Sequence, residues 1–166
     1  LTVCVHRTFN GEDLIAYVRA LRSLFRRYGS LGEFFEGRYA ATGSIPSVLS
    51  DFRREFFAEP HPPRSEKHLS SIDKGSACKR LNMFLRWMIR RDSEVDFGIW
   101  RNFSPCELII PLDTHVSEMA FRLGLTRSKS YTLNNARTIT AALAEVFPED
   151  PCLGDFALFG YGINEL

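Results

Sequence analysis

A helical repeat of apolar residues recurs along most of the chain and is the feature that most constrains its fold. Between Asn10 and Gly29, apolar side chains recur about every 3.6 residues, and Glu12 and Asp13 stand in the first turn. Such a segment is typical of an amphipathic helix that an N-cap opens and a glycine closes. Similar segments begin near Ser44, Ala77, Pro111, Thr132 and Asp150. Because no segment reads as a pairing strand, the sequence predicts an all-α globular fold of about seven or eight helices.

The length and composition predict one domain. With 166 residues, 45% of them hydrophobic, the chain can bury a core and is unlike a disordered sequence. The prolines of residues 60–63 indicate a loop rather than a domain boundary, so residues 1–166 are predicted to form a single helical domain. No apolar run approaches the roughly 18–20 residues of a membrane helix, and no signal peptide is evident. We therefore expect a cytoplasmic protein without a membrane partner, and a segment that lacks N-terminal residues of the native chain.

The cysteines favour a reducing compartment. Cys4, Cys78, Cys106 and Cys152 form no CxxC pair, and no histidine stands at a zinc-finger offset from any of them. Isolated cysteines of this kind usually behave as small buried hydrophobic residues. We therefore expect no disulfide framework, no metal and no cofactor.

Basic residues are concentrated in one stretch although the formal net charge of the chain is only +1. Residues 74–91 contain six basic side chains and no acidic one. These are Lys74, Lys79, Arg80, Arg86, Arg90 and Arg91. On a helical wheel, Lys79, Arg86 and Arg90 fall opposite the apolar face. A local patch of this kind can bind phosphate even in a nearly neutral chain.

Two short stretches carry candidate chemistry. A glycine turn at Gly75–Cys78 leads directly into a helix, and its backbone N–H groups are predicted to bind phosphate with help from the helix dipole. Lys79 follows in the first turn of that helix. Asp113 stands at the start of another helix, after a short apolar approach. An amine and a carboxylate near two helix N-termini can act as a nucleophile and its electrostatic partner.

Both stretches resemble motifs of the helix-hairpin-helix DNA glycosylases. Residues 75–79, Gly-Ser-Ala-Cys-Lys, are similar to the Gly-Val-Gly-x-Lys turn of that superfamily. Residues 111–116, Pro-Leu-Asp-Thr-His-Val, are similar to its motif Pro-Val-Asp, then Thr or Val, then His, then Val or Ile. The gap between Lys79 and Asp113 (113 minus 79, or 34 positions) is longer than in most members and nearer that of the archaeal 8-oxoguanine glycosylases. Ala77 stands in place of the second hairpin glycine. The chain as a whole also resembles an uncharacterised bacterial family in which both stretches recur.

The resemblance implies a DNA-repair glycosylase, with AP-lyase activity and a preference for an oxidised purine. Lys79 and Asp113 would be the catalytic pair, and a flipped nucleotide would enter a pocket. Duplex DNA is the partner that the resemblance implies, and the residues expected to bind it are Lys74, Gly75, Ser76, Ala77, Cys78, Arg80, Arg86 and Arg90. The residues expected to line the substrate pocket are Trp87, His115 and Asp155, with a further aromatic from residues 156–159.

Other interpretations of the same residues stay open. Asp113 and Asp155 can serve as helix caps, and Lys79 can be an ordinary solvated lysine. His115 can bond to the backbone, and Trp87 can belong to the core. At the level of function, the alternatives are a non-catalytic nucleic-acid-binding relative of the glycosylase fold and a helical protein-interaction module.

Overall fold

A computed structural model of the chain describes residues 3–91 and 93–165. These residues form seven α-helices, two short 3₁₀ helices and one antiparallel strand pair. The predicted all-α architecture of seven or eight helices is therefore confirmed. The contacts divide the chain into two compact units, Leu1–Ser71 and Ile72–Leu166. Each unit is described separately below.

The first unit contains three helices. Its elements are β1 (Cys4–His6), β2 (Phe9–Asn10), α1 (Gly11–Tyr28), α2 (Leu31–Thr42), α3 (Ile45–Phe56) and a 3₁₀ helix (Pro63–His68). The strand pair was not predicted, because segments of three and two residues are too short to show the alternation of a strand. Beneath the helices, aromatic rings pack edge to face or tilted, among them Phe34, Phe35, Phe52 and Phe56. This aromatic cluster is the core of the unit.

A buried carboxylate joins the start of α1 to the 3₁₀ helix. Asp13 closes a capping box with Asn10 and is fully buried. Its Oδ1 accepts a hydrogen bond from the Ser65 hydroxyl at 2.6 Å, and its Oδ2 lies 3.5 Å from both Arg64 and His68. Burial alone would raise the pKa of Asp13, but these donors and cations outweigh it and hold the pKa below the ordinary value of 3.8. Of the two acidic first-turn residues that the sequence suggested, Asp13 is therefore part of the core, whereas Glu12 is exposed.

The second unit contains four helices and the two predicted motifs. Its elements are α4 (Lys79–Ile89), a 3₁₀ helix (Pro105–Glu107), α5 (Thr114–Arg122), α6 (Leu133–Ala144) and α7 (Cys152–Glu165). Leu85, Ile89, Val116 and Ile139 are all fully buried, as the helical periodicity predicts. At Gly162, α7 lies so close to α5 that an added Cβ would stand 3.0 Å from Met119 Cγ. This close approach brings the start of α5 beside α7.

Candidate active site

The glycine turn that precedes α4 is tied into the second unit by backbone hydrogen bonds. Gly75 has a φ of 77°, a left-handed conformation that favours glycine, and its N–H donates to the Ile72 carbonyl. Ser76 pairs with Thr132 in an isolated antiparallel bridge. In this bridge the Ala77 N–H donates to the Tyr131 carbonyl at 3.2 Å. The turn is thus held against the loop that precedes α6.

The turn differs from the predicted phosphate cradle. The N–H groups of Gly75 and Ala77 already donate to carbonyls, and the N–H of Cys78 donates to the Ser76 hydroxyl at 3.2 Å. These three amides are occupied within the protein, since Gly75 and Cys78 donate to groups of residues 72–76 and Ala77 donates to the loop that precedes α6. The expectation that they are free for a phosphate group is therefore corrected, whereas Lys74 and Arg80 are exposed as expected.

Lys79 is the first residue of α4, and an unusual backbone conformation precedes it. Cys78, the N-cap of α4, is buried and has φ 46° and ψ 44°, a left-handed conformation that non-glycine residues rarely adopt. Its side chain makes no capping hydrogen bond. A residue held in this region stores strain and requires support from its surroundings. Here the buried Asn82, whose amide donates to the Ala77 carbonyl at 2.8 Å, provides part of that support.

Asp113 both caps α5 and meets Lys79. Its Oδ1 accepts a hydrogen bond from the Val116 N–H at 2.9 Å, and its Oδ2 lies 3.1 Å from Lys79 Nζ. The approach to Asp113 is fixed, since residues 108–112 are buried and the Ile110 N–H donates to the Thr140 hydroxyl at 3.2 Å. The two residues singled out by the sequence, 34 positions apart, are therefore neighbours, and one carboxylate serves as cap and ion-pair partner together.

A pocket of about 240 Å³ opens beside this pair. The residues that line it come from α4, from the approach to α5 and from α7. They are Lys79, Met83, Arg86, Pro111, Asp113, Val116, Asp155, Phe156 and Phe159. Drug-sized ligands usually occupy about 300–1,000 Å³, so a pocket of this volume suits a smaller group such as one planar ring system.

Asp155 lies in the wall of the pocket, as the sequence suggested. It is buried in the first turn of α7, and its Oδ2 accepts a hydrogen bond from Arg86 Nη1 at 2.8 Å. Burial raises its pKa to about 6, Arg86 opposes that rise, and the nearby charge of Asp113 adds to it. In the described residues its Oδ1 has no hydrogen-bond partner. The cap at the start of α7 is Asp150 instead, whose Oδ1 accepts from the Cys152 N–H.

Arg86 and Arg90 are placed differently from a phosphate-binding patch. Both are buried, and both guanidinium groups lie over the ring of Phe156, at 4.4 and 5.0 Å from its centre. Arg90 donates to Asp150 at 2.6 Å and to Asp96 at 2.5 Å. The wheel put both arginines on the polar face of α4, but α7 and the segment after α4 cover that face with carboxylates. The expectation that these two residues contact DNA is corrected on this ground.

Two further predicted pocket residues lie outside the lining. His115 packs its ring edge-on against Phe159, 6.1 Å between centres, and so supports one wall residue. Trp87 is partly exposed on another side of α4. The wall residues Met83 and Arg86 follow Lys79 at positions i+4 and i+7, so all three lie on the same face of α4. That spacing was the signal that could have found them.

A family comparison places the chain among related sequences. The model of the family described as protein of unknown function DUF2400 matches residues 1–164. The chain belongs to the DUF2400 family. No curated protein and no solved structure matches it.

The DUF2400 protein has no membrane-spanning candidate in the described part of the chain, where no helix is both long enough and apolar enough. Over the same residues, no group of three or more His, Cys, Asp or Glu side chains is arranged to hold a metal ion. The candidate active site of the DUF2400 protein presents an amine, two carboxyl groups and an aromatic-walled pocket.

Proposed function

We propose that this protein is a DNA-repair glycosylase with AP-lyase activity, in which Lys79 is the nucleophile and Asp113 its partner. One observation carries the proposal: Lys79 Nζ lies 3.1 Å from Asp113 Oδ2 at a pocket of about 240 Å³. The resemblance of both motifs to the helix-hairpin-helix glycosylases supports the same assignment. The Lys79 side chain is 44% exposed, so the amine is accessible to a substrate.

The proposed reaction begins when the Lys79 amine attacks C1′ of a flipped nucleotide. The Nζ–C1′ bond forms as the C1′–N bond to the base breaks, and the base leaves with the electron pair of that bond. Asp113 stabilises the developing positive charge on the sugar and passes the amine proton toward the departing base. Opening of the sugar ring, with a proton delivered to its oxygen, then leaves a Schiff base between Lys79 and C1′. β-Elimination of the 3′ phosphate from this intermediate cleaves the strand.

The pocket supports the proposal through its size and its walls. Phe156 and Phe159 offer ring surfaces, and Asp155 offers a buried carboxyl group. Such walls suit a flat, polar-edged heterocycle, which is the shape of a nucleobase. The preference for an oxidised purine derives only from the long gap between Lys79 and Asp113. With Arg86 and Arg90 buried, Lys74 and Arg80 are the remaining residues of the proposed DNA-binding surface.

Borohydride trapping tests the proposal directly. Wild-type protein is incubated with duplexes that contain an abasic site or 8-oxoguanine, and borohydride reduces any Schiff base to a stable covalent adduct. We expect an adduct in wild type, none in Lys79→Gln, and at least a 100-fold slower reaction in Asp113→Asn. Lys129→Gln is the matched control, because Lys129 is also half-exposed and lies 2.7 Å from a carboxylate, that of Glu118.

Each negative result points to one alternative. A folded wild-type protein that forms no adduct, or an adduct that Lys79→Gln leaves unchanged, rules out the lyase mechanism. Salt-dependent binding to duplex DNA without an adduct would then favour the non-catalytic nucleic-acid-binding relative. No binding to DNA at low salt would favour a protein-interaction module.

A further inference from the structure

An open polar cleft lies in the second unit, on the loop between α5 and α6. Its volume is about 600 Å³, and side chains from residues 124–138 line it. Four of these side chains carry hydroxyl groups at alternate positions, as do side chains on one side of an extended segment. They belong to Thr126, Ser128, Ser130 and Thr132. We call this surface the hydroxyl cleft, and it offers a ligand hydrogen bonds rather than an apolar wall.

The loop that forms the hydroxyl cleft is held by one buried side chain, that of Asn135. Its Nδ2 donates to the carbonyls of Ser128 and Ser130, at 3.1 and 2.7 Å, and its Oδ1 accepts from the Thr126 hydroxyl at 2.6 Å. The Ser128 hydroxyl donates to that of Ser130 at 2.9 Å. A loop fixed in this way loses little conformational entropy on binding, and its hydroxyl groups can rotate to donate to a ligand.

The charge around the hydroxyl cleft is positive. Residues 119–144 contain four basic residues and no acidic one. Arg127 is exposed and belongs to the lining, whereas Lys129 pairs with Glu118 at 2.7 Å outside it. On the neighbouring glycine turn, the exposed pair Asp73-Lys74 carries no net charge. Because the lining residues include a cation and no carboxylate in the part of the chain that the structure describes, the cleft suits an anion.

The hydroxyl cleft adjoins the glycine turn whose amides the protein itself occupies. Ser76 of that turn pairs with Thr132 in the antiparallel bridge, and the Leu133 N–H donates to the Gly75 carbonyl at 2.8 Å. Ser76 precedes Lys79 by three residues, a stretch that spans at most about 11 Å. The cleft therefore lies close to the candidate active site and offers donors that the turn does not have free.

We propose that the hydroxyl cleft binds a phosphate group, with Arg127 as its cation and the hydroxyl groups of Ser128 and Ser130 as further donors. Arginine and hydroxyl side chains are common donors to the phosphates of DNA, where such contacts position a protein without reading sequence. Two sources share this chemistry, the backbone of duplex DNA and a free phosphate ion. The assignment of DNA as the source rests on the proposed function, whereas the assignment of phosphate to the cleft does not.

Binding of undamaged duplex DNA at several salt concentrations tests the site without the Schiff-base step. We expect Arg127→Gln to bind about 10-fold more weakly than wild type. It should also reduce the slope of log affinity against log salt by about 1, as loss of one phosphate contact does. Ser130→Ala removes a donor but no charge, so it should bind about 3-fold more weakly with an unchanged slope. Arg22→Gln is the matched control, because Arg22 is exposed on α1 of the first unit.

A thermal-shift measurement with inorganic phosphate, against sodium chloride of equal ionic strength, distinguishes the two sources. If phosphate stabilises wild type but not Arg127→Gln, and both bind DNA equally, the site is supported and the free ion is its source. Equal DNA binding of wild type and Arg127→Gln, with no effect of phosphate on either, would overturn the proposal. An equal loss of affinity in Arg22→Gln would also overturn it, since the effect would then be one of overall charge. Failure of borohydride trapping would leave these expectations unchanged, because neither measurement depends on a reaction at Lys79.

Discussion

Arg86 and Asp155 form a buried ion pair in the wall of the candidate active site, with 2.8 Å between Nη1 and Oδ2. The pair joins α4 to α7, and the ring of Phe156 lies 4.4 Å from the guanidinium carbon of Arg86. Ions taken out of water depend on each other, so loss of either partner leaves an uncompensated buried charge. This relationship links the stability of the second unit to the shape of the pocket.

Arg86→Met is expected to destabilise the protein strongly. In the wild type the Arg86 guanidinium lies 2.8 Å from an Asp155 oxygen and 3.7 Å from an Asp96 oxygen, and the variant removes this cation from both. Breaking such a buried pair typically costs about 3–5 kcal/mol. Arg91→Met, at an exposed position of the same segment, should change the free energy of unfolding by less than about 0.5 kcal/mol. Urea denaturation followed by circular dichroism measures both, and equal effects of the two variants would contradict the prediction.

The carboxyl group of Asp155 is expected to titrate near pH 6. Because its folded-state pKa is raised from 3.8 to about 6, the folded protein binds this proton more tightly than the unfolded chain does. The contribution of Asp155 to the free energy of unfolding therefore falls as pH rises from about 4 to above 6. Carboxyl ¹³C NMR measures the titration, which Asp155→Asn should remove, and a midpoint near 4 would refute it.

Two replacements of Asp113 are expected to distinguish its role as a helix cap from its role in the reaction. Asp113→Ser keeps a side-chain acceptor for the Val116 N–H, so its stability should stay close to that of wild type. Asp113→Ala should lose about 1 kcal/mol through the missing cap. Both variants remove the carboxylate beside Lys79 and should slow trapping equally. If the trapping rate instead falls only in the less stable variant, Asp113→Ala, the carboxylate has only a structural role.

Gly98 is expected to be required for residues 95–99 to pack against the end of α4. Its φ is 55°, and an added Cβ would stand 2.6 Å from the Arg90 carbonyl oxygen. Gly98→Ala should therefore cost about 2–4 kcal/mol, from left-handed strain and overlap together. Gly43→Ala, with φ 59° and open space around the Cβ, should cost about 1–2 kcal/mol from strain alone. Thermal denaturation of the two variants compares them, and equal losses would argue against the overlap.

Asp13→Asn is expected to destabilise the first unit in a pH-dependent manner. The lowered pKa means that the stabilisation is complete above the ordinary value of 3.8 and is lost as pH falls through the folded-state pKa. At pH 7 the loss of charged hydrogen bonds should cost about 1.5–3 kcal/mol. Glu33→Gln, at an exposed first-turn position of α2, is the control. A difference between wild type and Asp13→Asn that does not shrink as pH falls below 3.8 would contradict this explanation.

Helix positions and caps could be predicted closely from local patterns. Asn10, Ser44 and Thr132 are N-caps in the structure, close to where the periodic segments were predicted to begin. Asp113 was predicted at a helix start and is the N-cap of α5. The short strand pair, Cys4–His6 with Phe9–Asn10, was missed. Caps depend on a few neighbouring residues, which is why the sequence reports them well.

The charged residues of α4 show where sequence reasoning failed. The helical wheel put Lys79, Arg86 and Arg90 on one polar face, yet only Lys79 is exposed. The two arginines are paired with three carboxylates, those of Asp96, Asp150 and Asp155. These carboxylates lie 6 to 69 positions from the arginines in the sequence. A wheel describes one helix and contains no information about what packs against it.

The sequence by itself determined the helices, their caps and the two stretches that hold Lys79 and Asp113, because these depend on short-range periodicity and local hydrogen bonding. Only the tertiary structure decided that Lys79 meets Asp113, that the amides of the glycine turn are occupied, and that Val95, Phe97 and Ile99 stand exposed. Each of these outcomes depends on which distant segment supplies the neighbouring atoms. Burial and pairing of that kind arise from packing across the chain, which no local pattern specifies.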